Sequence, residues 1–189
     1  MLDELQRVQI ALHDMLSQPD LKKINISKLC LEAGISRRTF YLRYGKINNC
    51  IEACILLELK TELRKNEKNS LRQILNSLCS YIQKHKQYFY NAYNFSEENC
   101  MCEKMREHFF QYIRSYVYKR GSFSELILKQ LTNILYDRIC FWISHSCNKS
   151  YSYLLEDLAI IIELIDFQKH VCSHQYQVFN FSHYYLNCD

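Results

Sequence analysis

Glycine and proline are almost missing from this chain: three of the first and one of the second in 189 residues. Breakers this sparse argue against a turn-rich β architecture and favour helices joined by few sharp turns. No clear period-two alternation marks a strand before the last few residues, so an all-α fold is expected. No apolar run reaches the roughly 18 residues of a membrane span, so no transmembrane helix is expected. The N-terminal residues lack a charged start followed by an apolar run; no secretory leader is expected, and a cytoplasmic location follows. Also missing are a phosphate-binding glycine loop, G-x-S-x-G and H-E-x-x-H. His85 and His108 sit among ordinary helical residues, and spacing pairs neither with a nucleophile. An enzyme is therefore not expected.

What is abundant is cysteine (ten) and tyrosine (fifteen), in a chain 48% hydrophobic and 23% charged. That balance describes a globular protein, not a disordered one. In a reducing compartment the cysteines do not form a disulfide framework. Cys30, Cys50, Cys54, Cys79 and Cys140 lie among apolar helical residues and read as small core side chains. Cys100-x-Cys102, near Glu103 and His108, is tighter than C-x-x-C and lacks a second pair at finger spacing. Cys172, His174, His183 and Cys188 lie in an irregular aromatic tail. Neither group is expected to hold a metal, and no cofactor is expected.

Charge is concentrated in one place. Residues 21–46 carry Lys22, Lys23, Lys28, Arg37, Arg38, Arg43 and Lys46 against the single acid Glu32. That +6 exceeds the net +4 of the whole chain, so the remainder is net negative. Positive charge this local points to a polyanion partner for one small module. Within it, Asn25 caps a short helix whose Leu29, Cys30 and Ala33 share a buried face. Gly34 ends that helix in a left-handed turn, where a residue without Cβ is cheap. Ile35 pins the turn, and Ser36 caps a second helix with Arg37 and Arg38 in its first turn and Phe40 in the core. Arginines near the N-terminus of a short helix suit a DNA major groove, where they reach base edges.

AGISRRTFYLRY resembles the helix-turn-helix of TetR-type transcriptional regulators. The likeness is to variants written roughly I-T-V-x-x-I-C-x-x-A-G-I-S-R-x-T-F-Y-x-H-F. The matching positions are Ile24, Ile26, Leu29, Cys30, Ala33, Gly34, Ile35, Ser36, Arg37, Thr39, Phe40 and Tyr41, with Tyr44 in place of the Phe. The next junction departs from the family pattern. Ile47 stands where the family carries Lys, Lys46 comes one place early, and Cys50 replaces a Leu. On this reading Arg37 and Arg38 read bases, with Ser27 as a lesser candidate. Asn25, Ser36, Thr39, Tyr41 and Lys46 hold phosphates and set register.

The organisation expected is a helix-turn-helix domain over residues 1–46, a connecting helix and boundary over 47–69, a helical ligand-binding and dimerisation domain over 70–169, and the irregular tail over 170–189, with about nine helices in all. The stretches from Leu126 to Trp142 and from Leu154 to Ile165 are apolar on more than one face. A pairing of these two helices with their copies in a second chain follows, and the resemblance implies the same. The residues expected there are Leu128, Leu131, Leu135 and Trp142 on one helix, and Leu154, Leu158, Ile161 and Ile165 on the other.

The resemblance also implies a small-molecule effector among the middle helices. Candidate lining residues are Tyr88, Tyr93, Met101 and Met105, then Phe109, Tyr112 and Tyr116, whose rings and hydroxyls suit mixed ligands. The function expected is a homodimeric regulator of a palindromic operator, most naturally a ligand-released repressor. Its partners would be double-stranded DNA, a second copy and the effector, with no membrane. The alternative is a helical protein-interaction module that kept the helix-turn-helix shape.

Overall fold

A computed structural model of the chain describes residues 3–65, 69–96, 100–118 and 124–166, with side chains from residue 103 onward in the third segment. The described residues form ten helices and no strand. They are α1 (Glu4–Leu16), α2 (Ile26–Ala33), α3 (Arg37–Tyr44), α4 (Ile47–Arg64), α5 (Leu71–Lys84), α6 (Lys86–Phe95), α7 (Cys100–Tyr118), α8 (Glu125–Ser144), α9 (Tyr151–Asp157) and α10 (159–166). The tenth helix arises because the last helical stretch, expected as one element, is divided at Leu158.

Side-chain caps set several of these boundaries. Asp3 and Gln6 form a reciprocal capping box at the start of α1, and Ser70 and Gln73 form another on α5. Each pair satisfies backbone donors that an uncapped helix leaves orphaned. Asn25 Oδ1 accepts from the Lys28 amide at 3.1 Å and Ser36 Oγ from the Thr39 amide at 3.0 Å, so both expected caps are made. Gly34 adopts φ 63°, ψ 41°, the left-handed cap expected of it. Arg7 Nε donates to the Ala33 carbonyl at 3.0 Å and satisfies one of the orphan acceptors at the end of α2.

One apolar core runs through the molecule, from Val8 and Leu12 of α1 to Ile162 and Ile165 of α10. α1 packs on α2 and also on α4 and α6, so the first helix belongs to the basic module and to the body at once. The Asn91 side chain on α6 fixes this join. Its amide donates to the carbonyls of Leu16 at 2.8 Å and Gln18 at 2.9 Å, closing the C-terminal end of α1 just before Pro19. Cys30, Cys50, Cys54 and Cys79 are buried as expected of core cysteines, and Cys140 is half-buried. Burial pushes the Cys79 thiol up to about 12, so it stays protonated and inert.

Candidate nucleic-acid interface

The second and third helices present the basic side chains outward. Leu29, Cys30, Ala33 and Phe40 are buried beneath them, with Phe40 fully enclosed. The Phe40 ring packs on the Tyr44 ring with centroids 5.3 Å apart and meets Tyr41 edge-on at 5.5 Å. This anchor rotates the rest of α3 to the surface. Arg37, Arg38, Tyr41, Leu42 and Arg43 are all exposed there. The Arg37 guanidinium lies 5.9 Å from the Tyr41 ring centroid, a cation–π contact that orders two outward groups against each other.

The candidate contact residues divide by what already engages them. Ser27 and Lys28 are exposed on α2, and Asn25 is exposed at its cap. The Ser36 and Thr39 hydroxyls lie 2.8 Å apart and satisfy each other, with Ser36 exposed and Thr39 half-buried. Arg43 is spoken for differently: its Nη1 donates to Glu4 Oε1 at 2.8 Å, so the end of α3 is tied to the start of α1. That hydrogen bond raises the already high Arg43 pKa. The pair is half open to solvent, so its role is orientation more than stability.

Leu42, 78% exposed on α3, had no role assigned from the sequence. A leucine left in water on a surface otherwise made of arginines and tyrosine suits apolar contact with a thymine methyl group. Its position two residues after Phe40 was the available signal, since that spacing turns it away from the core.

The departure at Lys46-Ile47 has a structural counterpart. Gly45 takes φ 71°, ψ −53°, a conformation that disfavours any residue with Cβ. Asn49 Nδ2 donates to the Tyr44 carbonyl at 2.7 Å, closing α3 from within α4. Lys46 occupies the N-cap position of α4, exposed and giving no side-chain cap, while Ile47 is half-buried against the core. The chain has thus placed an apolar residue inward and the lysine at the mouth of a helix N-terminus. There the backbone amides and the helix dipole favour an anion.

Between the basic module and the body lies a polar cluster. The His13 and His85 rings approach with Nε2 and Nδ1 3.2 Å apart, and His13 Nε2 lies 3.9 Å from Glu58 Oε1. Tyr81 donates its hydroxyl to the same Glu58 carboxylate. Tyr88, 1% exposed, stacks against His13 at 4.5 Å. Burial and the Glu58 charge hold the Tyr88 hydroxyl well above its ordinary value. The cluster ties α1 to α4, α5 and α6.

Of the candidate pocket residues, Tyr88 lies in that cluster and does not line the central cavity. Tyr116 does not line it either. Its hydroxyl accepts from the Leu71 amide at 2.8 Å and donates to Asp166 at 2.9 Å, pinning α5 and α10 to α7. A cavity of about 340 Å³ does lie among α4, α5, α6, α7 and α8, and Tyr93, Met105, Phe109 and Tyr112 line it. The side chains of Met101 and of the Cys100-x-Cys102 pair, and the whole tail from residue 170, lie outside what the structure describes.

The expected interface residues divide by face. Leu128, Leu135, Trp142, Leu154, Leu158 and Ile165 are each 6% exposed or less within one chain, so they fill its own core, while Leu131 and Ile161 are half-buried. The side chains left outward on the same helices are different: Ile127, Ile134 and Phe141 on α8, then Tyr153, Ile160 and Leu164 beyond it. The first three recur every seventh residue and so form one stripe. Because these helices are apolar on both sides, hydrophobicity alone could not separate inner from outer positions.

No family model matches the chain, and no curated protein matches its sequence. Solved structures do match. A protein assigned to the TetR-type transcriptional regulators in Streptomyces avermitilis ma-4680 is similar over 87% of this chain and 99% of its own, with a TM-score of 0.54 at 12% identity. The dihydroxyacetone kinase operon activator DhaS is similar over 89% of this chain and 97% of its own, with a TM-score of 0.56 at 14% identity. Identity this low speaks for fold, and the agreement extends over nearly the whole of each relative. A basic helix-turn-helix, a connecting α4 and a helical body with a central cavity together give this chain the fold of the TetR-type transcriptional regulators.

Proposed function

We propose that the protein is a sequence-specific DNA-binding transcriptional regulator that acts as a homodimer on a palindromic operator and leaves it when a small molecule fills the central cavity. The observation that carries this reading is α3 itself: a capped, core-anchored helix with Arg37, Arg38, Tyr41 and Leu42 all in solvent. Arg37 and Arg38 read base edges and Ser27 assists from α2. Asn25, Ser36, Thr39, Tyr41 and Lys46 meet the backbone, with Lys46 working beside the amides at the start of α4. Half-site contacts from one module are few, so a second copy is needed to give useful affinity. The outward stripe of α8 and the apolar residues beyond it supply a surface for that pairing.

Repression is the simplest outcome of a dimer that occupies an operator until released. Of the similar structures, DhaS is an operon activator. A reporter assay in a strain lacking the gene reads the sign: expression from the operator rises if the protein represses. The route from cavity to DNA runs through α4, which lines the cavity with Ile55, Leu59 and Leu63 and begins at the end of α3. Binding to duplex DNA as a function of salt tests the reading. Counterion release makes the affinity of a phosphate-contacting protein fall steeply and linearly on a log–log scale. A flat salt response, with binding to a protein partner instead, would support the interaction-module alternative.

A further inference from the structure

The central cavity is chemically lopsided. Its deep walls are apolar: Leu78 and Ile82 from α5, Phe89 from α6, and Ile139 and Ile143 from α8. Its side between α4 and α7 is bordered by Lys60 and Arg64, one helical turn apart, with His108 across from them. No aspartate or glutamate is among the described residues that line it. Nearby basic residues are engaged: Lys65 pairs with Glu62, Lys104 with Glu52 and Arg106 with Asp137. Lys60 and Arg64 form no ion pair with any described residue, although both reach solvent at the mouth.

We propose that this cavity takes a small amphipathic carboxylate, its apolar body against the α5, α6 and α8 walls and its carboxylate held by Lys60 and Arg64. The inference rests on the reading of this cavity as the effector site and gives that effector a chemical class. The volume, about 340 Å³, is near the lower end of the roughly 300–1,000 Å³ typical of ligand sites, so the occupant is small. A wholly apolar occupant would gain nothing from the two cations and would close their mouth without an acceptor. A cationic amphiphile would bring like charge against both. A carboxylate gains charge-assisted hydrogen bonds, in a bidentate fork from the guanidinium. Lys60 and Arg64 both line the cavity and are both exposed, the arrangement in which a long basic side chain keeps its charge in water and lends its methylene stem to an apolar wall. Tyr112 steadies this edge, since its hydroxyl donates to the Leu63 carbonyl at 3.2 Å.

The test is calorimetric titration of the full-length protein with decanoate, 1-decanol and decylamine below their aggregation limits, each repeated with the K60Q/R64Q double variant. Both side chains are exposed at the mouth, so the variant keeps the core intact. The expected result is one decanoate per chain, bound at least about tenfold tighter than decanol or decylamine. In the double variant decanoate loses about 10–100-fold, the range for charge-assisted hydrogen bonds, and decanol is unchanged. Decanol or decylamine binding as tightly as decanoate would overturn the proposal, as would decanoate affinity unmoved by the variant. The same ligands added to the protein–DNA complex separate the two readings. Decanoate that binds but leaves DNA affinity unchanged keeps the ligand class and removes the effector role. Release by decanol or decylamine but not by decanoate keeps the effector role and removes the carboxylate.

Discussion

Replacing Ile134 by glutamate sets the outward face of α8 against its inward one. Ile134 is 45% exposed, and its neighbour Leu135 is 0% exposed. Full burial of an isoleucine side chain contributes about 1.5–3 kcal/mol, so the 45% still open is worth about 0.7–1.4 kcal/mol per protomer. Twofold symmetry counts it twice, giving about 1.4–2.7 kcal/mol per dimer. Burying a carboxylate with no partner adds at least about 1–3 kcal/mol. Together these weaken the dimer by on the order of 100-fold or more in Kd. Sedimentation equilibrium over a range of protein concentrations reads this directly, with circular dichroism confirming that the helices remain. Leu135→Ala is the counterpart. It opens a cavity inside one chain and costs about 2–5 kcal/mol of folding stability, visible as a lower Tm and not as a selective loss of dimer. If Ile134→Glu remains a dimer at the wild-type Kd, the outward stripe of α8 is not the interface and the pairing argument fails.

Three further outcomes follow from the recognition module and its join to the body. Arg37→Ala weakens specific DNA binding by about 1–3 kcal/mol and relaxes base preference at one position per half-site; an equal loss on random DNA, read by competition gel shift, contradicts base reading. Tyr41→Phe removes a hydroxyl but keeps the ring beneath Arg37, so specific and random DNA weaken alike; a loss confined to the specific site overturns the phosphate role. The third concerns pH. Burial, followed by the His13 charge, holds the His85 imidazole below its ordinary 6.5, with Lys84 acting the same way and Glu58 and Glu62 opposing. The unfolded chain therefore takes up this proton more readily than the folded one. The stability His85 contributes is present above 6.5 and is lost as pH falls through the folded pKa. Tm should drop on acidification across that window, with a shallower slope in His85→Gln; identical slopes would assign the pH response elsewhere.

The helix-turn-helix was legible in the sequence because its constraints are local. Asn25, Gly34 and Ser36 act on backbone within a few residues of themselves, so a short string specifies two caps, a left-handed turn and the buried Phe40. The body was legible as helices but not as faces. An apolar stripe on both sides of α8 gives no clue to which side meets α7 and which meets solvent, and six of the expected interface residues proved internal. The seven-residue recurrence of Ile127, Ile134 and Phe141 was there to be read, but only packing assigns it to the outside. The cavity was partly legible. Tyr93, Met105, Phe109 and Tyr112 were found by their aromatic and sulfur character, whereas nothing in the sequence singled out Lys60 and Arg64 as cavity residues. Tyr88 and Tyr116 lie away from the cavity because what holds them is far away in sequence: the His13 ring packs against Tyr88, and the Leu71 amide and the Asp166 carboxylate hold the Tyr116 hydroxyl.

Selection of bound sequences from a random duplex pool by the full-length protein tests the central claim most directly. The account predicts an enriched palindrome whose half-site centres lie about one DNA turn apart, roughly 34–36 Å or a multiple of it. It also predicts that the enrichment disappears with the Arg37→Ala/Arg38→Ala double variant. A pool that returns without enrichment at any salt concentration, or an enrichment that survives loss of both arginines, would contradict it.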